Sequence, residues 1–310
     1  MNYLFSKTII TITLIFFPFV LFAQGKTEVL IDGDKFFHPI VEKWVSEYQK
    51  ENPDIKIELK TVQHKIASQT DLQILSGQRS DEADANRKVV YVGRYALIPL
   101  ANVKNPLLEK AGKGLKRKDI TNLLFEKDIL AEDYDADEKE KYTATVYSRG
   151  DKTSVTTVLA GYFDQSPDRI RGKKIIGDEI YLLNAIQKDE TGITFNTLNY
   201  AFDLQSRRLK SNLSILPLNV KSVQKEVLDS HDIDKLIALL EESKIETIPV
   251  ENFGLLVPEK YSDNNEILDF LEWILSDGQK YNREYGFLSL DNNARTQSKK
   301  QLALNNYKAE

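Results

Sequence analysis

Short apolar segments along the chain alternate with segments in which apolar residues recur at helical spacing. Residues 28–31 form an apolar run, and a helical pattern then begins at Pro39, a residue suited to a first helical position. Residues 54–62 alternate apolar and polar, as a half-buried strand does. Further strand patterns cover residues 88–93, 95–102, 142–147, 173–176, 192–196, 213–218 and 253–257. Further helical patterns cover residues 118–125, the segment after Thr153, 178–187 and 267–275. This alternation predicts an α/β fold with mainly parallel sheets.

The first 23 residues are apolar apart from their beginning. Lys7 is their only charged side chain, and Leu21 and Ala23 occupy the −3 and −1 positions of a cleavage site. The pattern predicts a cleaved signal peptide and a soluble, periplasmic protein. An uncleaved membrane anchor is the alternative, but the run is short for a span and Pro18 interrupts it. The chain has no cysteine, so it lacks the lipid acceptor of a lipoprotein and cannot form disulfides.

The charge balance narrows the class of partner. Lysine and arginine number 42 and aspartate and glutamate 47, which gives a net charge of −5. Basic residues are mixed with acidic ones instead of being clustered, which argues against a nucleic-acid partner. The mature residues 24–310 are too many for one small core, and we expect two domains and a monomer.

Neither metal nor catalytic chemistry is indicated. Asp133, Asp135 and Asp137 alternate as in a calcium loop, but Glu138 and Ala144 replace the glycine and glutamate that such a loop needs. The three histidines lack ligand spacing, and there is neither a cysteine nor a nucleophile elbow. We therefore predict no metal, no cofactor and no enzymatic activity.

The strand pattern ending at Tyr147 leads into a helix through a segment crowded with charges and hydroxyls. The segment contains Arg149, Asp151, Lys152, Thr153 and Ser154. The first N–H groups of a helix lack intrahelical partners and carry partial positive charge, and a Ser or Thr can cap them. Arg149 can add bidentate hydrogen bonds to an oxyanion. The junction therefore predicts an anion site. An ordinary N-cap with a surface Arg149–Asp151 pair is the alternative.

Six segments, taken in order, resemble the phosphate-binding proteins of ABC transporters, within the type II periplasmic-binding-protein superfamily. The resemblance covers nearly all of the mature chain. The segments are "GDKFFHPIVEKWVSEYQ", "YALIPLANVKNPL", "KRKDITNLLFEK", "YSRGDKTSVTTVLAGYF", "ETGITFNTLNYA" and "FLEWILSDGQKYNREYGFLSL". The last of them is the closest match.

The resemblance implies two α/β lobes joined by two crossing strands that close on an anion. The crossings are expected near Leu97–Asn102 and Ile248–Asn252. Lobe one is expected to comprise residues 25–101 plus 249–310, and lobe two residues 102–248.

The resemblance also implies which residues contact the ligand. Arg149 and Asp151 retain the family's residue types, and Thr153 replaces its serine. Ser154 stands where the family has glycine. Lys152 and three residues of the other lobe complete the predicted site, namely Lys35 in the place of the family's hydroxyl, Phe36 after it, and Ser68 as the remaining hydroxyl. The family's glycine-rich second loop is replaced by "HKIASQTDLQILSG".

Three functions are compatible with this sequence. The first is an exported protein that traps a small anion such as phosphate by hinge closure and passes it to an inner-membrane transporter or a sensor. The second is a scaffold or interaction module of the cell envelope that keeps the fold but no longer binds phosphate, which the missing glycine-rich loop favours. The third is a binding protein for a peptide or protein ligand.

Overall fold

The apolar runs predict most strands of the protein, but not those at residues 72–76, 202–203 and 208–209. The computed structural model describes residues 28–59, 72–76, 87–127, 141–150, 154–258 and 264–306. The strands in these ranges are β1 (Glu28–Asp32), β2 (Lys56–Leu59), β3 (Leu72–Ser76), β4 (Arg87–Asn102), β5 (Thr145–Arg149), β6 (Lys173–Ile175), β7 (Gly192–Thr197), β8 (Phe202–Asp203), β9 (Arg208–Leu209), β10 (Leu213–Ile215) and β11 (Val250–Pro258). The predicted signal peptide and the acidic segment 128–140 lie outside the described residues.

The helices include all those that the periodicity predicts, with others in addition. They are α1 (His38–Glu51), α2 (Leu107–Lys110), α3 (Arg117–Leu124), α4 (Ser154–Tyr162), α5 (Ile180–Ile186), α6 (Leu198–Ala201), α7 (Ser222–Asp229), α8 (Ile233–Glu242), α9 (Asn265–Leu275) and α10 (Asn292–Asn306). Short 3-10 helices cover Lys35–Phe37, Pro167–Arg169 and Asp277–Tyr281. Within the described residues, no helix combines the length and the apolar character needed to span a bilayer.

One mixed sheet runs through the molecule, in the strand order β2-β1-β3-β11-β4-β7-β5-β6, with β10 added beside β4. Strand β1 is parallel to β2 and β3, and β5 is parallel to β6 and β7. The antiparallel pairs of this sheet all involve β4 or β11. The sheet is therefore parallel among β1, β2 and β3 and among β5, β6 and β7, as expected for α/β units, and antiparallel where a strand pairs with β4 or β11.

Strand β4 belongs to both halves of the sheet. Its residues 87–96 pair with β11, and Leu97–Ala101 pair with β7. The change of partner falls at Leu97, whose N–H donates to the carbonyl of Pro249 at 2.9 Å. We call the strands β1, β2, β3 and β11 with the start of β4 the first half, and β5, β6, β7 and β10 with the end of β4 the second half. The lobe boundaries given above stay a prediction.

A β-bulge marks the middle of the connection. Phe253 pairs with Gly93 and Gly254 with Tyr91, so that Val92 is left without a ladder partner. The freed carbonyl of Val92 accepts hydrogen bonds from Gln279 Nε2 at 2.7 Å and Asn282 Nδ2 at 3.3 Å. Because a buried carbonyl without a partner is costly, these two side chains stabilise the bulge. Gln279 and Asn282 therefore hold strand β4 at its bulge.

The core of the first half is a cluster of aromatic rings. Phe253 lies 4.5 Å from Phe37, 5.2 Å from Phe287 and 6.2 Å from Trp44, measured between ring centroids. All four side chains are fully buried. Helix α1 supplies Trp44 from its apolar face, and the Trp44 indole N–H donates to the carbonyl of Gly278 at 2.9 Å. The helical pattern from Pro39 to Tyr48 thus predicts the buried face correctly.

Candidate functional site

The candidate site lies where the carboxyl ends of the parallel strands of both halves meet. In the second half, β5 ends at Arg149, and β7 ends at Thr197. In the first half, the chain leaves β1 through Asp34 into the short helix Lys35–Phe37. The halves touch here, because Asn199 Nδ2 donates to the carbonyl of Phe36 at 2.6 Å. Open α/β sheets characteristically bind their ligands in the crevice outside these strand ends.

A buried ion pair lies at the carboxyl end of β5. Arg149 Nη1 lies 3.2 Å from Glu179 Oε1, and the two side chains are only 8% and 6% exposed. The parallel register of β5 and β6 pairs Arg149 with Ile175, so the residues that follow β6 pass beside the guanidinium. A charged pair this well buried is rare unless each partner compensates the other.

The local chain path explains how Glu179 reaches Arg149. Gly177 has a φ angle of 122°, and a Cβ atom there would lie 2.6 Å from the ring of Tyr181. The turn after β6 therefore requires glycine. Glu179 then precedes α5, and its carbonyl accepts a hydrogen bond from Asn196 Nδ2 at 2.8 Å. The end of β7 thus fixes the backbone from which the carboxyl group extends.

The carboxyl group of Glu179 titrates close to neutrality. Burial raises its pKa to about 7, Arg149 opposes this rise, and the negative charges of Asp34 and Asp178 add to it. At neutral pH the group is therefore divided between a carboxylate, which accepts hydrogen bonds, and a carboxylic acid, which can donate one. Such a group can face either a guanidinium or an oxyanion.

Neutral polar groups also lie at this end of the sheet. Burial raises the pKa of Tyr200, as do its hydrogen bond to Asp178 and the nearby Glu179 and Asp34. Thr197 Oγ1 and Asn199 Oδ1 are buried and have no hydrogen-bond partner among the described residues. Buried polar atoms without protein partners usually bind water or a ligand. Thr197 ends β7, the strand beside β5, and Asn199 follows it, so this end of the sheet contains a hydroxyl and an amide oxygen as well as the ion pair.

The structure brings only some of the predicted site residues to this place. Arg149 is central to it. Phe36 contributes its backbone carbonyl, whereas its ring is fully buried against Phe37 and Tyr95. Lys35 is exposed to solvent beside the crevice.

The other predicted site residues cannot be compared with the structure in this way. Asp151, Lys152, Thr153 and Ser68 lie outside the described residues. Ser154 begins α4, and its side chain is also outside the description. Their predicted contacts with a ligand stay predictions.

Sequence reasoning did not identify four polar residues of the site: Glu179, Asn196, Thr197 and Asn199. Each of them ends, or follows within three residues, a segment that the pattern correctly predicts as a strand, residues 173–176 or 192–196. Polar residues at the carboxyl ends of parallel strands are a signal that could have identified them. Among the described residues, no group of three or more His, Asp or Glu side chains is arranged to hold a metal ion.

Comparisons with known proteins give the fold. No protein-family model matches the chain, and no curated protein matches its sequence. A protein assigned as a phosphate ABC transporter substrate-binding protein from Clostridium perfringens, solved with bound phosphate, is 16% identical with a TM-score of 0.58, over 86% of this chain and 100% of the other. An ABC-type phosphate transport receptor from Vibrio cholerae is 11% identical with a TM-score of 0.53, over 84% and 100%. A possible phosphate-binding protein from Planctomyces limnophilus is 10% identical with a TM-score of 0.52, over 90% and 99%.

The chain thus has the two-lobed fold of a periplasmic binding protein. The expected fold class is confirmed, since the mixed α/β sheet and its helices match these domains over most of their length. Identities of 10–16% show the fold alone. These three neighbours are described as binding or receptor proteins and not as enzymes.

Proposed function

We propose that the protein is an exported substrate-binding protein that traps a small oxyanion, phosphate or a close analogue, between its two lobes. Hinge closure about the crossing strands β4 and β11 encloses the ligand. The protein then delivers it to an inner-membrane transporter or an envelope sensor. The observation that carries the proposal is the buried guanidinium of Arg149 at the carboxyl end of β5.

The surroundings of Arg149 suit an oxyanion. A guanidinium shielded from water binds a tetrahedral anion through two parallel hydrogen bonds, which are stronger there than at an exposed site. The hydroxyl of Thr197 can donate to an anion, and Arg149 is the only arginine among the described buried polar residues. The fold supports the same function, because a structural neighbour holds phosphate.

The second candidate function is the envelope scaffold, and one observation favours it. Glu179 already supplies a carboxylate to Arg149 at 3.2 Å, so the guanidinium is neutralised without any ligand. A scaffold of this kind would keep the pair as a structural element and bind no anion.

Thermal unfolding in the presence of anions separates the two functions. Phosphate, methylphosphonate and sulfate are added separately to the purified mature protein. A bound anion present at ~100 times its dissociation constant stabilises the folded state by about 2.7 kcal/mol, which raises the melting temperature. Arg149→Lys retains the charge but not the bidentate geometry, and we expect it to reduce the shift strongly.

A matched variant controls for the loss of an ion pair as such. Lys104→Met removes the exposed pair of Lys104 with Glu190, and its anion-induced shift should equal that of the wild type. If none of the three anions raises the melting temperature of the wild type, the proposed function is wrong and the scaffold is favoured.

A further inference from the structure

Glu179 lies where an oxyanion would bind Arg149. Its Oε1 is 3.2 Å from Nη1, and its side chain is 6% exposed, so the carboxyl group is enclosed together with the guanidinium. An incoming oxyanion that contacts Nη1 of Arg149 lies beside this carboxyl group. Two ionised groups of the same sign at that separation repel strongly where water is excluded.

Among the described residues, the groups with the largest charge effects on Glu179 include one cation, Arg149. Three charged groups act on Glu179. They are Arg149 at the end of β5, Asp34 of the first half, and the neighbouring residue Asp178. Tyr200 of α6 and Tyr95 of β4 are close enough for Glu179 to affect their pKa values, and burial keeps both phenols protonated. Among these groups one cation therefore faces three carboxyl groups. Loss of the charge of one carboxyl group makes the addition of a dianion beside them more favourable.

We infer that Glu179 determines the specificity of the site by taking up one proton from solvent when an oxyanion binds at Arg149. The proton bonds to a carboxylate oxygen of Glu179, which then donates a hydrogen bond to the anion instead of repelling it. No other bond forms or breaks, and the proton returns to solvent when the anion leaves. The inference rests on the proposed function. Its chemical consequence is that the site accepts oxyanions that carry no proton of their own.

Calorimetric titration with sulfate tests this inference, because sulfate stays a dianion between about pH 5 and 9. Any proton taken up on binding therefore belongs to the protein. We expect the dissociation constant of the wild type to rise about tenfold for each pH unit above 7, as one-proton linkage requires. The apparent affinity is reduced by the fraction of protein in the competent, protonated state.

The variant Glu179→Gln keeps the shape of the side chain and can donate a hydrogen bond at every pH. We expect its sulfate affinity to be independent of pH and, at about pH 8, about tenfold higher than that of the wild type. Glu190→Gln is the matched control. Glu190 is also ion-paired, with Lys104 at 2.9 Å, but it is 64% exposed, and its variant should keep the slope of the wild type.

The outcomes are distinct. If the wild type binds sulfate with equal affinity at pH 6 and 8, or if Glu179→Gln keeps the slope of the wild type, the inference is wrong and the proposed function stands. The wild type could instead bind phosphate but not sulfate at every pH tested. In that case the phosphate brings its own proton and donates a hydrogen bond to the Glu179 carboxylate, which also overturns the inference. If neither protein binds sulfate, phosphate or methylphosphonate, the proposed function itself fails.

Discussion

Replacing Arg149 by methionine is expected to lower the free energy of unfolding by about 3–5 kcal/mol at pH 8. The reason is that Glu179 stays buried, at 6% exposure, without the guanidinium that lies 3.2 Å from it. Methionine fills much of the same volume, so the loss reports the uncompensated charge more than a cavity. Urea unfolding followed by circular dichroism measures the change.

The loss of stability caused by Arg149→Met should be smaller at pH 5 than at pH 8. The pKa of Glu179 is about 7 in the folded protein against a usual value of 4.5, so the folded state binds more protons between these values. The contribution of Glu179 is therefore most favourable below pH 4.5 and is lost as pH rises through 7. Arg149 lowers this pKa, so in its absence the pKa is higher and the favourable contribution of Glu179 continues to fall up to a higher pH. At pH 5 the carboxyl group is protonated and needs no cation.

A surface ion pair provides the control for this prediction. Lys104→Met removes a partner of Glu190, and both side chains of that pair are exposed, so the expected loss is below about 1 kcal/mol at either pH. An Arg149→Met variant as stable as Lys104→Met at pH 8 would show that the buried pair does not exist in solution.

Replacing Phe253 by alanine is expected to lower the free energy of unfolding by about 3–5 kcal/mol. The ring is fully buried and contacts Phe37, Trp44 and Phe287. It also occupies the space over Gly93, where a Cβ atom would lie 2.5 Å from the ring. Two elements from distant parts of the chain therefore lose their contact with the crossing strand at once. Chemical denaturation of the purified variant measures the loss.

The same measurement on Val223→Ala gives the baseline for an apolar truncation. Val223 lies in α7 and is 71% exposed, so its variant should remain within about 0.5 kcal/mol of the wild type. A Phe253→Ala variant within that limit would mean that the aromatic cluster is not packed as described.

Much of the fold was predictable from local patterns, and the differences have physical causes. The strands of the second half and helix α1 coincide with the predicted segments. Residues 88–93 and 95–102 were predicted as two strands, because Gly93 interrupts the apolar pattern. They form the single strand β4, which has a bulge next to Gly93, opposite Phe253. Helix α10 was not predicted, since its sequence is mostly polar and contains too few apolar residues to show helical spacing.

The site was predictable only in part. Arg149 follows a clear strand and precedes a clear helix, so local sequence is sufficient to single it out. Glu179 lies 30 positions further along, and only the parallel register of β5 and β6 brings it to Arg149. The partner of a buried charge is a property of the tertiary structure. For this reason the sequence suggested Asp151, which lies outside the described residues, as the neighbour of Arg149.

Anomalous diffraction from crystals grown with selenate at about pH 6 tests most directly whether the Arg149 crevice binds anions. Selenate has the shape and charge of sulfate, and selenium is located without reference to the rest of the map. The expected result is one strong selenium peak within ~4 Å of the Arg149 guanidinium carbon, between the two halves of the sheet, at the distance of a bidentate pair. Crystals with no selenium in the crevice, or with selenium only on outer surfaces, would contradict it.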